Sequence, residues 1–254
     1  MILHRQDETV DDLLNGRLKI IQKKKGYRFS LDALLLAHFI SLRRNNSILD
    51  MGTGSGVISL ITAMRLPDVR IVGIDIQEEM IGMAARSAVL NGLEDRVTFR
   101  VGDVRLIRRD FEAESFDAVV LNPPYRKLNS GRINPEGEKA LARHELRGTL
   151  EDFLQGASYV LKPGGRLFVI YPARRLTTLM AGMRKTALEP KRCRLVYSRR
   201  DTVGTFVLAE GCKGGGEELE ILPPLFIYND QENYTEEMQE IFTELSCFPP
   251  SGGG

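Results

Sequence analysis

Four short clusters hold the side chains best suited to chemistry. The first is Asp50-Met51-Gly52-Thr53-Gly54-Ser55-Gly56. Glycines at every second position let a chain turn sharply and expose its backbone N–H groups. A helix start behind them favours electron-rich ligand atoms. The spacing is GxGxG, not the GxGxxG of dinucleotide binders, and no Lys-Ser/Thr follows, which argues against a phosphate-binding P-loop. The second cluster is Asp75-Ile76, with Asp75 standing 25 residues after Asp50. A carboxylate there can accept both hydroxyls of a ribose. The third is Gly102-Asp103-Val104, where the acid can accept an adenine amino group while the valine packs on the ring. The fourth, Asn122-Pro123-Pro124-Tyr125, joins an amide to two prolines that stop a strand and stiffen the turn, with an aromatic ring behind. Taken singly, each has a plain structural reading: a tight turn, a strand-end carboxylate, a capping asparagine.

The elements that must carry these clusters alternate along the chain. Short apolar runs at 47–51, 70–75, 97–101, 116–121, 166–171, 193–197 and 205–209 read as strands. Helical patterns lie at 57–66, at 78–90 with an Asn91-Gly92 stop, at 150–161 before Lys162-Pro163-Gly164-Gly165, and at 234–245. Strands alternating with helices imply an α/β fold with a doubly wound, mainly parallel sheet of seven strands. Ligands of such sheets sit beyond the carboxyl ends of the strands, and all four clusters follow a strand. Residues 126–148 form a 23-residue stretch of little periodicity after the fourth strand, a length usual for functional or disordered loops.

Together, in this order, the clusters resemble the class I S-adenosylmethionine-dependent methyltransferases, whose fold is Rossmann-like. The resemblance implies that Asp50, Gly52, Thr53, Gly54 and Gly56 lie under the methionine part of the cofactor. It implies that Asp75 with Ile76 holds the ribose, that Asp103 with Val104 meets the adenine, and that Asn122 borders the donor. The tetrad Asn122-Pro123-Pro124-Tyr125 is similar to that of methyltransferases acting on planar, amide-like nitrogens, which makes these four residues the expected catalytic set. Such a nitrogen is a poor nucleophile. Acceptors that draw its N–H groups favour the tetrahedral form, and the Asn122 side-chain oxygen and Pro123 carbonyl supply two. Tyr125 can stack on the ring, and a base inside a duplex must first be flipped out.

DNA adenine, RNA adenine and protein glutamine methyltransferases share that tetrad. Here Gly26-Tyr27-Arg28-Phe29-Ser30-Leu31-Asp32-Ala33, Ala142-Arg143-His144-Glu145 and Leu222-Pro223-Pro224-Leu225-Phe226 resemble the bacterial tRNA1(Val) adenine N6-methyltransferases. The resemblance implies a tRNA partner and a cofactor S-adenosylmethionine. Tyr27 is then a lid over the cofactor or simply core. Asp32 lies near the methionine end, or only caps the helix that begins at Leu31. A glutamine N5-methyltransferase of release-factor type and a non-catalytic RNA-binding module remain the alternatives.

Net charge, +1, averages opposed regions. Leu13–Arg28 has six Lys/Arg and no acid, and Arg174–Arg200 has nine against Glu189 alone. From Ala209 onward there are ten Asp/Glu against Lys213 alone. This asymmetry suggests a polyanion-facing side and an acidic side. Lys23, Lys24, Lys25, Arg28, Arg126, Lys127, Arg132, Arg143, Arg174 and Arg175 are the expected RNA contacts. The three cysteines stand far apart, without CxxC spacing, which argues against a disulfide framework or a zinc site. No run approaches 18 apolar residues, so no membrane span is expected, and a reducing cytoplasm is the simple inference. The expected organisation is an N-terminal extension with a basic segment and lid helix (1–46), a methyltransferase domain (47–246) and a mobile tail (247–254). Whether the chain is a monomer or a homodimer stays open.

Overall fold

The computed structural model describes residues 4–25, 31–42, 45–123 and 148–247. The first half of the large sheet is built as the apolar runs demand. Strands β3 (Ser47–Met51), β4 (Arg70–Asp75), β5 (Val97–Val101) and β6 (Phe116–Leu121) lie parallel, with β3 between β4 and β6. Helices α2 (Val57–Arg65) and α3 (Glu78–Leu90) make two of the crossovers. Beyond β6 come β7 (Leu161–Pro172), β9 (Gly204–Lys213) and β8 (Leu188–Tyr197), of which β9 alone runs antiparallel. The spatial order β8-β9-β7-β6-β3-β4-β5 contains the seven strands expected. Two more strands of two residues each, β10 (Glu220–Ile221) and β11 (Leu225–Phe226), add to the outer edge of β8. They flank Pro223-Pro224, so no period marks them in the sequence.

Side chains alternate across this sheet, as strand geometry requires. Ala118 and Val120 of β6 and Phe168 and Ile170 of β7 join one buried cluster, while Val119, Leu121, Leu167, Val169 and Tyr171 join the other. The first cluster is closed by α1 (Leu31–Phe39), α2 and α7 (Glu236–Ser246). The second is closed by α5 (Leu150–Val160) and α6 (Leu176–Lys185). Helix α5 opens on a capping box, in which Thr149 Oγ1 accepts from the Asp152 amide and Asp152 accepts from that of Thr149. Helix α7 starts two residues later than its periodicity suggests, because Thr235 serves as the cap. Between β5 and β6 runs a short helix, α4 (Ile107–Asp110).

The N-terminal stretch differs from the expected basic extension. It holds an antiparallel hairpin, β1 (Glu8–Leu13) and β2 (Leu18–Lys23), turned by Leu14, Asn15 and Gly16, all at positive φ. The hairpin docks on α3. The Ile21 amide donates to Ser87 Oγ at 2.9 Å, the Lys19 amide donates to Asn91 Oδ1 at 2.9 Å, and Asn91 Nδ2 donates back to Lys19 O at 2.7 Å. The buried Glu8 carboxylate grips Arg86 through Oε1 at 2.8 Å and Oε2 at 2.6 Å. Helix α1 packs in the first core with Ala33, Leu35, Leu36, Ala37 and Phe39 buried. Its last carbonyls are held by Arg65 of α2, which donates to Ala37 O and Ile40 O.

The two opposed charge runs do not form opposed sides. Among the described residues, four ion pairs join them. Arg184 meets Glu189 and Glu217, Arg192 meets Glu210, Arg194 meets Glu237 and Arg199 meets Glu232, while Lys185 meets Glu151. The acidic stretch after β9 is therefore a partner of the basic run. The N-terminal run behaves alike: Lys19 pairs with Asp12, and Lys23 with both Asp7 and Glu79. Exposed pairs of this kind add little stability, but they leave less charge for a polyanion.

Candidate cofactor and transfer site

The carboxyl ends of β5, β4, β3 and β6 stand side by side in that order. They present Asp103, Asp75, the glycine turn and Asn122 along one edge. The glycine turn earns its composition: Gly52, Gly54 and Gly56 have φ of 78°, 57° and 80°, which L side chains adopt only with strain. A Cβ on Gly56 would also stand 2.7 Å from Phe99 and 3.0 Å from Ala84. The Gly52 and Thr53 amides both donate to Ile74 O, at 2.8 and 2.9 Å, which pins the turn to the end of β4.

Asp50 lies beneath this turn, 1% exposed. Its Oδ2 accepts from Thr53 Oγ1 at 2.7 Å and from Ser59 Oγ at 2.6 Å. Burial pushes the carboxyl up to about 6, against the pull of the Ser59 and Thr53 bonds, and the charge of Asp75 adds to the rise. Asp75 holds the turn from the other side. Its Oδ2 accepts from the Gly54 amide at 3.0 Å, and its Oδ1 from the Gln77 amide and Nε2 at 2.9 and 3.1 Å. Asp103 caps the single turn Val104–Leu106 through the Arg105 amide. The Arg105 guanidinium, at 2.5 Å, holds its carboxyl below the usual carboxylate range, and the Arg105 amide and the Arg109 charge act the same way against desolvation.

Asn122 follows β6 and continues the alternation of Ala118 and Val120, so it faces the α1 side. There its Nδ2 donates to Asp32 Oδ2 at 3.1 Å. Pro123 is buried beside it. Two acidic strand ends next to a glycine turn fit a nucleoside-type group, because they offer oxygen acceptors for hydroxyl and amino donors. A methyltransferase-domain family model matches residues 42–240.

The chain belongs to the methyltransferase-domain family. Among its relatives, a protein of Porphyromonas gingivalis named tRNA1(Val) (adenine(37)-N6)-methyltransferase is 35% identical over 64% of this chain and 66% of its own length. A protein of the same name from Bacteroides thetaiotaomicron is 30% identical over 59% of this chain and 61% of its own length. The chain thus spans somewhat less than two-thirds of these relatives. A crystal structure described as a predicted O-methyltransferase from Agrobacterium tumefaciens superimposes with TM-score 0.69 at 22% identity, over 86% of this chain and 98% of that one. That likeness shows the class I, Rossmann-like methyltransferase fold.

Within that fold the structure brings together Asp32, Asp50, Gly52, Thr53, Gly54, Gly56, Asp75, Ile76, Asp103, Asn122 and Pro123. Val104 is almost fully buried in the second core, and Ile76 is partly exposed. Arg174 and Arg175 form a turn at the carboxyl end of β7, next to β6. Lys24 Nζ donates to Gln6 O at 2.5 Å in the N-terminal segment. Tyr27, Arg28, Pro124, Tyr125, Arg126, Lys127, Arg132, Arg143 and His144 lie outside the described residues, as do 248–254 of the expected tail. Sequence reasoning missed Ser59, Gln77 and Arg105, the side chains that hold the three acids. Gln77 and Arg105 each stand two residues after the acid they grip, a local spacing usual for such bonds. Ser59 had no such signal, because it reaches Asp50 from the first turn of the next helix.

Proposed function

We propose that this chain transfers a methyl group from S-adenosylmethionine to the exocyclic N6 amine of an adenine in tRNA, an adenosine of the anticodon loop of a valine tRNA. The observation that carries the reading is the side-chain amide of Asn122, held at the end of β6 on the same edge as the glycine turn, Asp75 and Asp103. The printed names of the relatives support the same reading.

Bound S-adenosylmethionine supplies an electrophilic methyl group on a sulfonium. Asp75 accepts from the ribose hydroxyls, and Asp103 from the amino group of the cofactor's adenine. The Asn122 Oδ1 and the Pro123 carbonyl accept the two N–H bonds of the target amine, which withdraws its lone pair from the ring. Such acceptors act where positive charge develops, and losing one costs about 10²- to 10³-fold in turnover. No strong base is required, because the amine turns acidic only after methylation. RNA loops offer bases already out of a stack, and Arg174 and Arg175, in the turn that follows β7, would meet a phosphate backbone.

The test is transfer of labelled methyl from S-adenosylmethionine in a cell extract, followed by mass spectrometry of tRNA nucleosides. Label in N6-methyladenosine of tRNA is the expected result, and Asn122→Ala lowers its rate by about 10²- to 10³-fold while S-adenosylhomocysteine still binds. Label in protein glutamine, or binding with no product on any RNA, overturns the reading.

A further inference from the structure

An asparagine amide has two ends of nearly equal size, one donor and one acceptor. Only the acceptor end helps an amine whose N–H groups must be drawn away. A donor end in that position would oppose it. Some neighbour therefore has to choose the flip, and the fold supplies one from 90 residues away. Asp32 Oδ2 accepts from Asn122 Nδ2 at 3.1 Å. An ionised carboxylate offers no proton, so this contact admits only the amide nitrogen. Oδ1 is thereby turned away from Asp32.

The carboxylate is itself fixed. Asp32 is 2% exposed, and its Oδ1 accepts from the Ala33 amide at 3.0 Å. It sits in the first turn of α1, where the helix field favours negative charge. Helix α1 has little freedom to move, because its apolar residues fill the first core and Arg65 ties its last carbonyls to α2. On the other side, the period-two alternation of β6 directs Asn122 to the α1 face. A charge on the nitrogen side also polarises the amide toward a more electron-rich oxygen, the effect that strengthens linked hydrogen bonds.

We propose that Asp32 is a positioning residue: it locks the Asn122 amide in the orientation that presents Oδ1 to the amine accepting the methyl group. The role rests on the function proposed above, and it differs from a contact with the methionine end of the cofactor, the other role open to Asp32.

Asp32→Ala and Asp32→Asn are compared in the wild-type and Asn122→Ala backgrounds, on the full chain with tRNA. The expected result for Asp32→Ala is a kcat lower by about 10- to 100-fold, the range of a hydrogen bond to a charged partner. The KM for tRNA and the calorimetric affinity for S-adenosylhomocysteine stay within about twofold, because neither ligand loses a contact. Asp32→Asn preserves shape and keeps the fold. It admits both flips of Asn122, so kcat falls less, by about two- to tenfold. In the Asn122→Ala background neither change costs anything further, since Asp32 acts through that amide. A cofactor affinity that falls in step with kcat overturns the proposal, as does an equal loss in the Asn122→Ala background.

A second readout does not depend on turnover. In ¹⁵N-labelled protein the Asn122 side-chain NH₂ resonance, identified by its absence in Asn122→Ala, shifts and exchanges faster in Asp32→Asn. An unchanged resonance overturns the proposal even if the enzyme is active. If the wild type methylates no tRNA while the resonance does respond, the function falls and the hold of Asp32 on Asn122 stands.

Discussion

Replacing Asp50 with asparagine should stabilise the protein, and by an amount that grows with pH. The carboxyl is buried under the glycine turn, and its value stands at about 6 in the folded chain, against roughly 3.9 in an unfolded one. The folded state therefore binds this proton more tightly than the unfolded state. The stability it contributes is complete below about pH 4 and is lost as pH rises through 6. Two units correspond to about 3 kcal/mol. Asp50→Asn removes the titration and keeps an oxygen that can accept from Thr53 and Ser59. Urea unfolding of both proteins should give nearly equal stabilities at pH 4, and an advantage of about 2–3 kcal/mol for the variant at pH 8. In melting temperature that is about 5–10 °C for a chain of this size. A difference that stays flat between pH 4 and pH 8, or widens as pH falls, would refute the argument. A carboxylate kept at a site where it costs stability is what a functional cradle requires, and the variant should be the steadier and poorer binder of S-adenosylhomocysteine.

Two further outcomes test the scaffold. Glu8 is held well below the usual carboxylate range, at about 2, chiefly by its Arg86 hydrogen bonds, with the Arg5 amide helping against burial. Its contribution is present above about pH 4.5 and lost as pH falls through 2. Arg86→Met should cost about 3–5 kcal/mol at pH 7 by leaving a buried charge without its ion-pair partner, and adding Glu8→Gln should recover most of it, as read by urea unfolding. Glycines can be sorted by the same assay. Gly56→Ala meets both a left-handed backbone and the Phe99 ring and should cost about 2–5 kcal/mol. Gly82→Ala, inside α3 with open space around it, should stabilise by about 0.4–1 kcal/mol.

What the sequence disclosed is what has a period or an obligatory residue type. The parallel strands are nearly unbroken apolar runs, and the glycine turn needs its glycines, so strands β3 to β6 and their acids were readable to the residue. Helix α6 went unread: Leu176, Leu179 and Met183 recur on one face, but the arginines and the lysine that flank them drew the reading toward charge. The same happened at β1 and β2, where Asn15-Gly16 marks a hairpin just ahead of a basic stretch. Charge runs carry no partner label, so nothing in the chain announced that Arg194 would meet Glu237 or that Arg192 would meet Glu210. The meeting of Asp32 with Asn122 depends on how α1 crosses the end of β6. That is a tertiary fact, and only the strand alternation hints at it.

The docking of the hairpin on α3 bears on where this protein can be cut. Likeness to the family starts at residue 42, which invites an excision there. The seam runs elsewhere: the amides of Lys19 and Ile21 find their acceptors in Asn91 and Ser87. A fragment starting at residue 42 would strip those acceptors of their donors and bare the apolar bed of α1. Grafting the segment between relatives would succeed only if the matching rim of α3 travelled with it.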